Sequence, residues 1–267
     1  MNKFARSKPQ TQGLLLVRQL LLLVVIIQPS VISADEVTRV LEVRTIGIPP
    51  YGIESASEND KGDQRRGAYY DISNRVLALA GYEANNLVYP YARIINEMKT
   101  GQTDLTIMFK YSFLDGHVEY VAPLPRLKTV VIGLEGSNLD TIGSLSGKSL
   151  AYLRGAQFSD EIDADATIRK QITDDFNQAA RMLVFGRVDA VIGPLDPLLR
   201  AIAETNSNIV LAEPLVVSER TPWIQVSAGS ELALRTEALR LAFEQLESSG
   251  ELRRILDSYQ HVRDADG

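Results

Sequence analysis

Cysteine is absent from the sequence. That excludes a disulfide framework, a thiolate metal site and a lipid-bearing cysteine behind an export signal. Histidine is nearly absent as well. His117 and His261 are the two present, and they lack HExxH-type spacing, so zinc chemistry has no ligand set and His117 reads as a loop residue. There is no GxGxxG and no complete GxxxxGK[ST] phosphate loop. Gly147-Lys148-Ser149 matches only the tail of the latter and reads as the entry to a strand. Neither a metal nor a cofactor is expected. A surplus of basic charge is also missing. Residues 1–34 hold Lys3, Arg6, Lys8 and Arg18 and no acid; without those four of the 28 bases, 24 remain against 34 acids, a net charge of −10. Nucleic acid and anionic membrane surfaces are therefore poor partners. Finally, no apolar run approaches the roughly 20 residues that cross a bilayer.

What is present begins with a basic stretch, the apolar run from Leu20 to Ile27, then Pro29 and the small residues Ser33 and Ala34. This is the three-part pattern of a secretory signal over residues 1–34, with cleavage expected near Ala34 and a periplasmic product. The remaining chain, in a protein that is 45% hydrophobic and 23% charged overall, is long enough to bury a core of its own.

Strand-like and helix-like segments alternate from residue 40 onward, which predicts an α/β fold with largely parallel sheets. A first strand, Val40 to Ile48, ends at Pro49-Pro50-Tyr51-Gly52, which cannot continue a ladder. Glu54 to Arg66 read as a polar loop or hairpin. A helix is expected from Asp71 with Gly81 as its C-cap, a strand near Leu87-Val88, and a helix over Ala92 to Thr100. Gly101-Gln102-Thr103-Asp104 then leads into an apolar strand. The same order, amphipathic helix then Gly-x-x-Asp then strand, returns at Gly186-Arg187-Val188-Asp189. Two such units suggest two similar lobes: residues 35–128 with 214–267 in one, and 129–213 in the other. Segments 128–134 and 209–217 are expected to cross between them as a hinge. Two closing helices are expected at about Glu231–Ser248 and Glu251–Tyr259.

In this order the motifs resemble the family three solute-binding proteins of ABC importers, the polar-amino-acid class with the type II periplasmic binding fold. They are Pro49-Pro50-Tyr51, Gly67-Ala68-Tyr69-Tyr70-Asp71, Gly101-Gln102-Thr103-Asp104, Ser144-Leu145-Ser146-Gly147-Lys148, Arg154-Gly155, Gly186-Arg187-Val188-Asp189-Ala190 and the helix pair around Gly250. The resemblance implies a two-lobed, non-enzymatic, monomeric binder that closes on a small molecule and delivers it to a membrane permease. It places the ligand against Tyr51, Met108 to Tyr111, Arg154 to Gln157 and Pro194 to Asp196. This sequence also departs from the family. Where the family carries an arginine for the α-carboxylate, it has Ser112-Phe113-Leu114-Asp115, and where the family has an aspartate for the α-ammonium, it has Pro194. The arginine contact alone is worth about 1.5–3 kcal/mol. The expected ligand is accordingly a small polar or anionic metabolite other than a standard α-amino acid.

Replacement contacts are expected from Arg93, Lys110 and Arg154 as cations, from Gln157 and Asp196 as polar fixers, and from Tyr51 and Phe109 as stacking walls. Each has an alternative reading: Arg93, Lys110 and Arg154 as solvated side chains, Asp196 as a helix N-terminal acid, and the rings as core. Tyr70 and Trp223 read as packing residues. A dehydratase of the same fold is the enzymatic alternative, with Asp115, Glu119 or Asp196 as loose candidates for acid/base work. A ligand sensor is the signalling alternative.

Overall fold

A computed structural model describes residues 40–54, 65–206 and 208–260. The export signal expected over residues 1–34, most of the polar loop after Glu54, and His261 lie outside the described residues. The chain runs β1 (Leu41–Ile46), a small ribbon of β2 (Ile53–Glu54) and β3 (Arg65–Arg66), α1 (Ala68–Leu79), β4 (Ala84–Tyr89) and α2 (Tyr91–Thr100). It continues through β5 (Leu105–Phe109), β6 (Val118–Pro123), β7 (Leu127–Gly133), β8 (Ser149–Leu153), α3 (Asp160–Ala164), β9 (Arg169–Thr173), α4 (Phe176–Val184) and β10 (Ala190–Pro194). The last elements are α5 (Leu195–Thr205), β11 (Leu215–Arg220), β12 (Pro222–Ser227), α6 (Thr236–Ser248) and α7 (Glu251–Gln260).

These strands form two five-stranded sheets. The first has the order β4-β1-β5-β12-β6 and the second β11-β7-β10-β8-β9. In each, three strands are parallel, β4, β1 and β5 in one and β10, β8 and β9 in the other, while the remaining two join antiparallel. The all-apolar or near-apolar runs at β5 and β10 are explained by position, because both are inner strands buried along their whole length. Helices cover the faces, and α1 packs against both α6 and α7.

The junctions between the sheets fall at different places from the expected hinge. β7 lies wholly in the second sheet, paired with β10 and β11, so the first crossing is the Leu124–Arg126 segment. β11 pairs with β7 from Leu215 to Arg220, whereas β12 pairs with β5 and β6, so the chain returns at Thr221. A run of alternating apolar residues says that a segment is a strand; only pairing says which sheet it joins.

The recurring Gly-x-x-Asp has a definite structural job. Gly101 and Gly186 take φ of 72° and 65°, ending α2 and the turn after α4 in the left-handed conformation that glycine adopts without strain. Each aspartate then fastens its strand to a neighbour. Asp104 donates its N–H to the Glu42 carbonyl at 2.6 Å and accepts from the Glu42 N–H at 2.8 Å. Asp189 repeats this on Ser149, donating at 2.9 Å and accepting from the Ser149 N–H at 2.7 Å. The unit therefore ties β5 to β1 in the first lobe and β10 to β8 in the second.

Helix α1 starts at Ala68, three residues before the Asp71 expected from the sequence, and the cause is tertiary. Its first amides donate to the preceding loop, Ala68 to the Pro50 carbonyl at 3.0 Å and Tyr69 to the Tyr51 carbonyl at 3.0 Å. These carbonyls do the work of a side-chain cap. Gly67 makes the approach possible: a Cβ there would lie 2.3 Å from the Tyr51 oxygen.

Candidate ligand-binding cleft

The parallel strands of both lobes end at the same place. Ile46 closes β1, Met108 and Phe109 close β5, Leu153 closes β8 and Pro194 closes β10, and all five line one cavity of about 30 Å3 between the sheets. Tyr51, Tyr69, Tyr91 and Pro222 complete the wall from the first lobe, with Phe158, Phe176, Leu127 and Ala156 from the second. The volume holds about two water molecules. That is too little space for a metabolite.

The wall is aromatic. Tyr51 stacks on Tyr69 with centroids 4.3 Å apart, and Tyr91 meets Tyr111 edge-on at 6.2 Å with their hydroxyls hydrogen-bonded to each other. Tyr111 in turn stacks on Phe113 at 4.8 Å. Burial pushes the phenols of Tyr51, Tyr69, Tyr91 and Tyr111 above the ordinary tyrosine range, and the nearby charge of Asp196 adds to the effect at Tyr51. They are neutral hydrogen-bonding groups at any physiological pH. On the other wall, Phe176 lies against β10 because Gly193 has no side chain; a Cβ there would come within 2.6 Å of the ring. Gly155 brings the lobes into contact, its backbone facing Ala92 at the start of α2.

The residues singled out from the sequence divide sharply in this frame. Tyr51 and Phe109 are buried and line the cavity. Asp196 is exposed in the first turn of α5, close enough to act on Tyr51. Lys110 lays its ammonium 3.5 Å from the Trp223 ring centroid and 4.1 Å from that of Tyr120. Gln157 is exposed and offers its backbone carbonyl to the cleft mouth. Arg154 is also exposed, bonded to Asp174 at 2.7 Å. Arg93 donates to Glu97 at 2.8 Å with its guanidinium over Tyr89, as part of a cluster that includes the buried Arg44. There, although burial opposes it, hydrogen bonds from Arg93 and Thr103 and the charge of Arg44 hold the Glu97 carboxyl below its usual range. Arg93, Lys110, Arg154, Gln157 and Asp196 are not among the residues that line the cavity.

Sequence reasoning missed Arg220, at the end of β11 where the chain returns to the first lobe. Its guanidinium donates to the Gln157 carbonyl of the second lobe and, at 2.6 Å, to the Lys110 carbonyl of the first. It lies 4.9 Å from the Phe109 ring centroid and 4.8 Å from that of Tyr111. The available signal was an arginine two residues before a proline, beside a segment already read as a crossing. That signal is too common to single out a residue.

No protein-family model and no curated protein matches the sequence. Solved structures do match. An amino acid ABC transporter substrate-binding protein, AbpA from Streptococcus pneumoniae bound to L-arginine, superposes with a TM-score of 0.70 at 16% identity, over 84% of this chain and 94% of that one. An ancestral arginine-binding protein bound to arginine gives 0.69 at 21% identity, over 83% and 99%. The GluR0 ligand-binding core from Nostoc punctiforme, in complex with L-glutamate, gives 0.68 at 18% identity, over 82% and 98%. The chain has the two-lobed periplasmic-binding-protein fold. That is what likeness at such identities establishes, and it agrees with the two five-stranded sheets and their double crossing.

Proposed function

We propose that this chain is a divergent family three solute-binding protein, which captures a small molecule between its lobes outside the cytoplasmic membrane and delivers it to an ABC importer. The observation that carries the reading is the convergence of four parallel strand ends, two from each lobe, on one ring-lined cavity at a double crossing. A two-lobed α/β protein places ligands in this position, outside the carboxyl ends of its strands. The similar proteins described above are binders, and that supports capture over turnover. Export rests on the basic-apolar-small pattern over residues 1–34; among the described residues no helix is long and apolar enough to cross a membrane. The ligand is a molecule other than a standard α-amino acid. Where the resembling family carries its α-carboxylate arginine, Ser112-Phe113-Leu114 form a short turn, and Pro194 is a wall residue.

A thermal-shift screen over organic acids, sugars, polyamines and amino acids tests this directly, since a ligand bound only by the folded state raises the melting temperature. At a hundredfold excess over Kd the gain is about 2.7 kcal/mol, several degrees for a protein of this size. A hit that also compacts the protein in small-angle scattering supports the reading. Steady turnover of prephenate or arogenate would replace it with the dehydratase alternative, and a screen without hits would sink it.

A further inference from the structure

We propose that the ligand is a ring-bearing carboxylate and that Arg220 is its anchor. The inference rests on the solute-binding reading and adds the ligand's chemical class. Two independent observations meet here. The first is the cavity: six of its wall residues, Tyr51, Tyr69, Tyr91, Phe109, Phe158 and Phe176, present aromatic rings, and among the described residues its wall carries no charged side chain. Such a surface takes a flat apolar body by stacking and edge contacts, and offers a polyamine no anionic partner.

The second observation is where positive charge sits at the cavity's edge. Arg93 and Arg154 already hold Glu97 and Asp174, and the Lys110 ammonium is spread over two rings. Arg220 differs from them. Among the described residues its guanidinium forms no ion pair, and its hydrogen bonds go to two neutral carbonyls, one from each lobe. It reaches the cavity's own wall: it lies beside Phe109 and acts electrostatically on Tyr91. When the lobes part, Arg220 stays with β11 in the second lobe and the Lys110 carbonyl leaves with the first. The freed N–H groups then face the opened cleft, where a carboxylate accepts them in the bidentate geometry that a guanidinium favours. Because the anchor is at the second crossing, the anion binds at the point about which the lobes move. A bound acid thus takes over the bridge between lobes that Arg220 otherwise makes to Lys110 and Gln157.

The test uses the full chain and four probes in isothermal titration: 3-phenylpropionate, its neutral amide 3-phenylpropanamide, phenethylammonium and acetate. The expected result is that 3-phenylpropionate binds at least tenfold more tightly than the amide, with phenethylammonium and acetate weaker still. Arg220→Gln should weaken the acid about 10- to 100-fold and so bring the acid-to-amide ratio close to one, and Arg220→Lys should fall between, since a lysine keeps the charge and loses the fork. Equal binding of acid and amide overturns the proposal, as does an R220Q variant that binds the acid at full strength, which would make Arg220 a latch only. Should R220Q fail to fold, the acid-to-amide ratio of the unmodified chain decides. If ring-bearing acids fail while another class from the broad screen binds, this inference falls and the solute-binding reading stands. If no class binds, both fall.

Discussion

The two lobes carry the same device in different surroundings. Asp104 is 2% exposed, and besides fastening Glu42 it accepts from the Ser230 hydroxyl at 2.6 Å, more than a hundred residues along the chain. Asp189 is part-exposed; its second partner is the hydroxyl of the same Ser149 whose N–H it already holds, with Lys148 at 3.9 Å. One motif thus ties a long-range closure in the first lobe and a local one in the second. The geometry of a motif follows from its residues, whereas its worth depends on how much water its surroundings exclude.

The largest expected effect tests that difference. Asp104→Ala leaves the Glu42 N–H and the Ser230 hydroxyl without a charged acceptor in a buried place, and should destabilise by about 3–5 kcal/mol in urea denaturation. A loss no larger than that of the Asp189 variant would break the comparison. Next comes Gly193→Val in the second lobe. It drives a side chain against the Phe176 ring and should cost about 1–3 kcal/mol while reshaping the cavity wall, measurable together as a lowered melting temperature and weakened ligand response. Asp189→Ala should cost about 1–2 kcal/mol, because water reaches the groups it leaves.

The same residue predicts a pH dependence. Hydrogen bonds from the Ser149 side chain and backbone hold the Asp189 carboxyl below its ordinary range, so its contribution is present above the unfolded value near 3.8 and is lost as pH falls through the depressed folded value. Melting curves across pH 2 to 5 should show a smaller acid-induced loss for Asp189→Asn than for the unmodified protein. The smallest expected effect is Lys148→Ala, a loose surface pair worth less than about 0.5 kcal/mol. A larger change would mean that the second lobe's unit relies on charge more than its geometry suggests.

Much of the fold was legible in order and type. Apolar periodicity located α2 and α7 to within a residue at each end, because an amphipathic stripe records which face is buried whatever it packs against. Pro49-Pro50-Tyr51 marked a cleft loop because prolines end a ladder in any context. Tyr51 and Phe109 could be nominated as walls for a related reason: they follow strand ends, where an α/β fold opens. The start of α1 could not be read, since its cap is made of carbonyls from a loop many residues earlier. The charged candidates were the least legible. Arg93, Lys110 and Arg154 each follow an element that ends near the cleft, but nothing local says that Glu97, the Trp223 ring and Asp174 stand closer to them than the cavity does.

By itself, then, the sequence determined what short-range physics controls: the order of strands and helices, the glycines that end helices and the lack of any cysteine. Tertiary structure alone decided which sheet β7 and β11 join, where the lobes cross, and that Arg220 bridges two carbonyls beside an aromatic wall. A side chain's reach spans several ångströms in any direction, and its partner is set by chain segments brought close only when both lobes have folded.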